Sequence, residues 1–143
     1  MTTRPILLVE DNPSDIKLTQ RAFAINHIGN ELMVVEDGQA ALDYLFDERR
    51  ELPAVVLLDL KLPLVGGLDV LCRLRAHERT CLLPVVVLTT SKEEQDMVAS
   101  YSLGANSYIR KPVSFTEFST AVAQLGIYWI ALNEPPPYFP SRK

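Results

Sequence analysis

Cysteine, histidine and runs of basic residues are scarce in this chain, and each scarcity narrows what it does. Two cysteines, Cys72 and Cys81, and two histidines, His27 and His77, occur in 143 residues. The cysteines lack C-x-x-C spacing and a zinc-type histidine pattern, so they read as reduced thiols of a cytosolic protein. The histidines read as surface or helix-end residues. No basic patch is evident, and a net charge of −4 with a pI near 5.2 argues against a nucleic-acid-binding surface. The start, Met1-Thr-Thr-Arg-Pro5, has no signal-peptide apolar region. No apolar run approaches the roughly 20 residues needed to span a bilayer. A cytoplasmic chain with no membrane partner is therefore expected. Internal repeats and long low-complexity tracts are also missing, and the length suits one domain.

What is present is a regular alternation. Short apolar runs, rich in β-branched residues, recur at Ile6–Val9, Leu32–Val35, Val55–Leu58, Val85–Leu88 and Ser107–Ile109, with helical periodicity between them. Strands that alternate with helices imply a parallel sheet covered on both faces, and the continuously apolar runs at 55–58 and 85–88 suit its central strands. Asn12-Pro13 predicts a helix cap followed by proline at the first helical position. Ser91-Lys-Glu-Glu94 and Ser114-Phe-Thr-Glu117 both fit the capping box. Gly104 suits a helix C-terminus that needs a positive φ. The order is (βα) five times, with a last helix near 114–132. The segment 134–143, containing Pro135-Pro-Pro137 and Pro140, predicts an extended tail. The expected division is thus a domain over 1–133 followed by this tail, with no output domain.

Acidic residues follow two of the strands. Asp59 comes directly after Val55–Leu58, and Glu10 and Asp11 come directly after Ile6–Val9. Ligands of open α/β sheets bind at the carboxyl ends of strands, so these acids can converge there. Three carboxylates in one crevice repel unless a cation joins them, and Mg²⁺ suits an all-oxygen site that binds through carboxylates and phosphate. A carboxylate can act as a nucleophile toward phosphorus, giving an acyl phosphate. Thr89 and Lys111 end two further strands and offer a hydroxyl and an ammonium to a phosphoryl group.

Taken together, Val9-Glu-Asp-Asn-Pro13, Leu57-Leu-Asp-Leu-Lys-Leu-Pro63 with Gly66-Gly67, Val87-Leu-Thr-Thr-Ser91 and Tyr108-Ile-Arg-Lys-Pro112 resemble the response-regulator receiver signature, up to about Leu132. The resemblance implies a flavodoxin-like, doubly wound (βα)5 parallel sheet of strand order 2-1-3-4-5. It implies that Asp59 accepts phosphoryl from a sensor histidine kinase. The Mg²⁺ site would be Glu10, Asp11, Asp59 and the Lys61 backbone carbonyl, with Glu10 standing where many relatives have Asp. Lys111, Thr89 and Thr90 would bind the phosphoryl group, and Thr89 and Tyr108 would form the switch pair. Lys61 and Ser91 would tune phosphoryl lifetime, and Lys111-Pro112 is a candidate cis peptide. The chain would be no enzyme beyond its own phosphorylation and dephosphorylation. The phrases Glu10-Asp-Asn-Pro-Ser-Asp-Ile-Lys-Leu-Thr19, Asp37-Gly-Gln-Ala-Ala-Leu-Asp-Tyr-Leu45 and Ser100-Tyr-Ser-Leu-Gly-Ala-Asn-Ser-Tyr-Ile109 resemble single-domain regulators paired with bacterial and cyanobacterial phytochromes, which makes a bacteriophytochrome the candidate kinase partner.

The last helix carries a stripe of Phe115, Phe118, Val122, Leu125, Trp129 and Leu132 suited to the sheet. Ile127, Tyr128, Ile130 and Ala131 make its end apolar on other sides too. Two covers are weighed: the tail, through Tyr138 and Phe139, and a second copy of the chain, with Ile127, Tyr128 and Ile130 as the dimer surface. Two other functions compete. A haloacid-dehalogenase-type phosphatase needs a second acid two residues after the nucleophile, where this chain has Lys61. A receiver-like binding module that is never phosphorylated would have lost pocket residues, and every position here is filled.

Overall fold

A computed structural model of the chain describes residues 3–111, 114–134 and 136. Five strands, β1 (Ile6–Val9), β2 (Leu32–Val35), β3 (Val55–Leu58), β4 (Val85–Thr89) and β5 (Ser107–Arg110), alternate with five helices. These are α1 (Pro13–Ile25), α2 (Gly38–Leu45), α3 (Gly67–Arg75), α4 (Glu94–Ser102) and α5 (Phe115–Gly126). The sheet is wholly parallel in the order β2-β1-β3-β4-β5, the expected topology.

Strand alternation sends side chains to two separate cores. Ile6, Leu8, Val55, Leu57, Val86 and Leu88 pack with Phe23 of α1 and Phe118 and Val122 of α5. Leu7, Val9, Val56, Leu58 and Val85 pack with Leu42 and Leu45 of α2 and Val70, Leu71 and Leu74 of α3. β1, β3 and β4 are buried throughout, and the edge strands β2 and β5 are partly buried. This burial on both faces is why the central runs carry no polar alternation.

The helix signals hold with one exception. Asn12 caps α1, its Oδ1 accepting from the amides of Ser14 and Asp15, with Pro13 opening the helix. Ser114 Oγ accepts from Glu117 N at 3.2 Å. Gly104 takes φ +100° after α4, close against Arg75, whose guanidinium donates to its carbonyl. The exception is the capping box expected at 91–94. α4 starts at Glu94 with Glu93 as cap residue and no side-chain cap. Ser91 Oγ instead donates to Asp96 Oδ2 at 2.6 Å and accepts from Glu93 N, so the hydroxyl stabilises the approach to the helix rather than its first turn.

The expected single helix over 114–132 also divides. α5 ends at Gly126 and Ile127–Leu132 forms a π-helix. A π-turn holds more residues per turn than an α-turn, so the apolar stripe changes phase. Trp129 and Ile130 both enter the core, while Leu132, expected in the stripe, is 67% exposed. Ile130, expected on a dimer surface, is only 5% exposed and is excluded from it. Ile127 and Tyr128 remain exposed as expected. A tail packed through Tyr138 and Phe139, and the Lys111-Pro112 peptide, fall outside the described residues.

Candidate functional site

Strand register brings the chemistry together. Val9 pairs with Leu58, so Glu10 and Asp59 leave neighbouring strands at the same level. Thr89 pairs with Arg110, which places Lys111 one residue beyond β5, its amide donating to the Thr89 carbonyl at 2.8 Å. Asp59 is fixed by its own amide, which donates to Val9 O at 3.1 Å. The loop that follows is held against α3, where Gly67 N donates to Leu60 O. A Cβ on Gly67 would lie 2.3 Å from the Asp59 carbonyl, so this approach needs glycine. Leu64 in the same loop has φ +66° and is exposed, a sparsely populated backbone state for a branched residue.

Carboxylate oxygens of Glu10, Asp11 and Asp59 lie within 4.8 Å of one another. Glu10 and Asp59 are buried, and Asp11 is open to solvent. Lys111 enters from the other side. Its ammonium hydrogen-bonds Glu10, reaches Asp15 Oδ2 at 2.9 Å and lies 3.6 Å from Asp59 Oδ2, with only 8% of its side chain exposed. Burial pushes the Glu10 carboxyl up to about 7, with Lys111 opposing and Asp59 adding repulsion. Burial alone would lower the Lys111 ammonium, but the hydrogen bonds it donates to Glu10 and Asp15 overcome it and hold it above the usual lysine range. One ammonium against four acids leaves an excess of negative charge, and the donor set is all hard oxygen. Glu10, Asp11 and Asp59 therefore fit a small divalent cation.

Thr89 is fully buried at the end of β4, and its hydroxyl accepts from Ser91 N at 3.3 Å. Tyr108 is half-buried and its hydroxyl donates to Ser91 O at 3.3 Å, so both switch candidates meet the β4–α4 loop at one residue. Thr90 and Lys61 are exposed beside this edge. The sequence reading missed Asp15 as a site residue. Its position four residues after Asp11, in the first turn of a capped helix, was the available signal.

The family is now plain. The response regulator receiver domain model matches residues 6–123, and the chain belongs to that family. Among relatives, FilR2 of Methanothrix harundinacea, named a probable methanogenesis regulatory protein, is 43% identical over 92% of this chain and 86% of its own length. The response regulator Rcp1 of Synechocystis is 36% identical over 87% of this chain and 88% of its own. Among solved structures, the phosphorylated cyanobacterial phytochrome response regulator RcpA superimposes with a TM-score of 0.88 at 34% identity, covering 95% of this chain and all of RcpA. The Mn²⁺-bound form of Rcp1 gives 0.86 at 35% identity, over 94% and 99% of the two chains. The bacteriophytochrome response regulator RtBRR is 51% identical, with a TM-score of 0.74 over 95% and 86%. The chain is thus a receiver-domain response regulator related to those of phytochrome systems.

Proposed function

We propose that this receiver takes a phosphoryl group on Asp59 from a sensor histidine kinase of the phytochrome type and relays that state through protein contacts. The observation that carries the reading is the buried Asp59, which shares its crevice with Glu10, Asp11 and the ammonium of Lys111. In the transfer an Asp59 carboxylate oxygen forms the new O–P bond as the P–N bond to the kinase histidine breaks, and the electron pair stays on the imidazole nitrogen. Glu10, Asp11 and Asp59, with the Lys61 carbonyl beside them, would hold Mg²⁺, which supplies charge neutralisation for the phosphoryl oxygens. The metal seen in Rcp1, Mn²⁺, is a hard divalent ion of the same coordination chemistry and supports a divalent site without selecting Mg²⁺. Lys111, Thr89 and Thr90 bind the phosphoryl group.

The switch runs through the β4–α4 loop. If Thr89 turns its hydroxyl to the phosphoryl group, its bond from Ser91 N is released, and the Tyr108 bond to Ser91 O loses its fixed partner. The altered surface then belongs to α4, β5 and α5. The related names RcpA and RtBRR support a phytochrome kinase as partner. The exposed Ile127, Tyr128 and Leu132 support a homodimer through the last helix. A cytoplasmic location fits a kinase-coupled receiver, and no helix among the described residues is long and apolar enough to cross a membrane.

A phosphate-affinity gel with acetyl phosphate and Mg²⁺ tests the reading. A retarded band that vanishes in Asp59→Asn is expected. No retarded band, or one that persists in the variant, would overturn it.

A further inference from the structure

We propose that Asp15 is a positioning residue that restrains Lys111 and thereby slows the acceptance of phosphoryl by Asp59. The proposal rests on the phosphorylation reading above. Among the described residues, Lys111 is the basic side chain paired with Asp59, yet its nearest bonds go elsewhere. Asp15 Oδ2 lies 2.9 Å from the ammonium, against 3.6 Å for Asp59 Oδ2. Glu10 is the other acid bonded to Lys111, and it also belongs to the cation-holding cluster, whereas Asp15 does not. Among the described residues, the partner of the Asp15 side chain is Lys111.

Asp15 is also held where it stands. Its amide donates to the Asn12 cap, and its carbonyl accepts from Thr19 Oγ1 at 2.8 Å, so the carboxylate projects from the fixed first turn of α1 rather than from a loop. With 26% of the side chain exposed and the ammonium nearly enclosed, the pair is shielded better than a surface ion pair.

The consequence is competition. As the Asp59 oxygen forms its bond to phosphorus and the P–O bond of acetyl phosphate breaks, with the electron pair leaving on acetate, the anionic phosphoryl oxygens need the ammonium. Lys111 can meet them with its one remaining donor, and it gains a second, and the freedom to move toward them, only by giving up its bond to Asp15. An ammonium carries three donors, and Glu10 and Asp15 already take two. Asp15 thus sets how much of Lys111 is free for transfer.

The test measures the initial rate of phosphorylation by acetyl phosphate with saturating Mg²⁺, read on a phosphate-affinity gel, in Asp15→Asn and Asp15→Glu, each with Lys111 and with Lys111→Met. Removing the carboxylate is expected to raise the rate roughly fivefold, the factor that corresponds to about 1 kcal/mol for a partly shielded pair. Glu, which keeps charge and reach, is expected to stay within about twofold of wild type. In the Lys111→Met background the Asn effect is expected to vanish, because the restraint acts through the lysine. Asp15→Ser replaces the Asn variant if circular dichroism shows the latter unfolded. An unchanged or slower Asn variant would overturn the proposal, as would equal acceleration without Lys111, which would mean a general field effect. A wild-type chain that takes no phosphoryl would instead remove the Asp59 reading itself.

Discussion

If Glu10 helps to hold a divalent cation as proposed, its raised carboxyl should make that binding depend on pH in a defined window. Glu10 is 2% exposed, bonded to Lys111 and next to Asp59, and burial moves its titration from 4.5 to about 7. In the metal-free fold the native state therefore holds this proton more tightly than the unfolded chain. Its contribution to stability is full below pH 4.5 and is lost as pH rises through about 7. A divalent ion requires the carboxylate, so cation and proton compete. With titration at about 7, roughly one-tenth of Glu10 is ionised at pH 6 and nine-tenths at pH 8. Apparent Mg²⁺ affinity should rise about tenfold over that interval, and binding at pH 7 should release about half a proton. Isothermal titration calorimetry in two buffers of different ionisation enthalpy reads both quantities. Glu10→Gln should bind more weakly and lose most of the slope. An affinity that changes less than twofold between pH 6 and 8, or a slope retained in Glu10→Gln, would refute the coupling of this carboxylate to the cation.

Further expectations follow from packing and geometry. Trp129→Ala removes a core side chain that lies against the sheet and should cost about 3 kcal/mol of unfolding free energy, read by urea denaturation with circular dichroism. A cost below about 1 kcal/mol would mean that the π-helix is not part of the core. Gly67→Ala forces a Cβ toward the Asp59 carbonyl 2.3 Å away, so phosphorylation should slow about tenfold or more while most helicity is kept; an unchanged rate would show that the loop gives way freely. Ile127→Ser with Tyr128→Ser should shift a dimer to monomer in analytical ultracentrifugation, with helicity kept because both side chains are exposed in the single chain. A wild-type chain that is monomeric at tens of micromolar would remove the dimer proposal.

The strands and the convergence of Glu10, Asp11, Asp59 and Lys111 were legible in the sequence because burial on both faces leaves continuous apolar runs, and the residue after each run must emerge at the sheet edge. What escaped was set by tertiary contact. The change of phase after Gly126 has no proline or charge to announce it. A Cβ at Gly126 would meet Ile28 Cδ1 at 2.7 Å, so α5 presses against the segment after α1 there, and the π-helix lets Trp129 and Ile130 both reach the core. Helical periodicity of 3.6 could not place Ile130 inside. Ser91 had the spacing of a capping box, but Asp96 took its hydroxyl and Tyr108 its carbonyl. Asp15 lay hidden as an ordinary first-turn acid until the end of β5 brought Lys111 across to it.

The central claim is that Asp59, among the acids crowded at this edge, takes the phosphoryl group. Borohydride reduction after treatment with acetyl phosphate and Mg²⁺ converts an aspartyl phosphate to homoserine, and peptide mass spectrometry then finds the residue. Homoserine at position 59 alone is expected, with none in Asp59→Asn. Homoserine at Asp11 or Asp15, or at no position, would contradict the account.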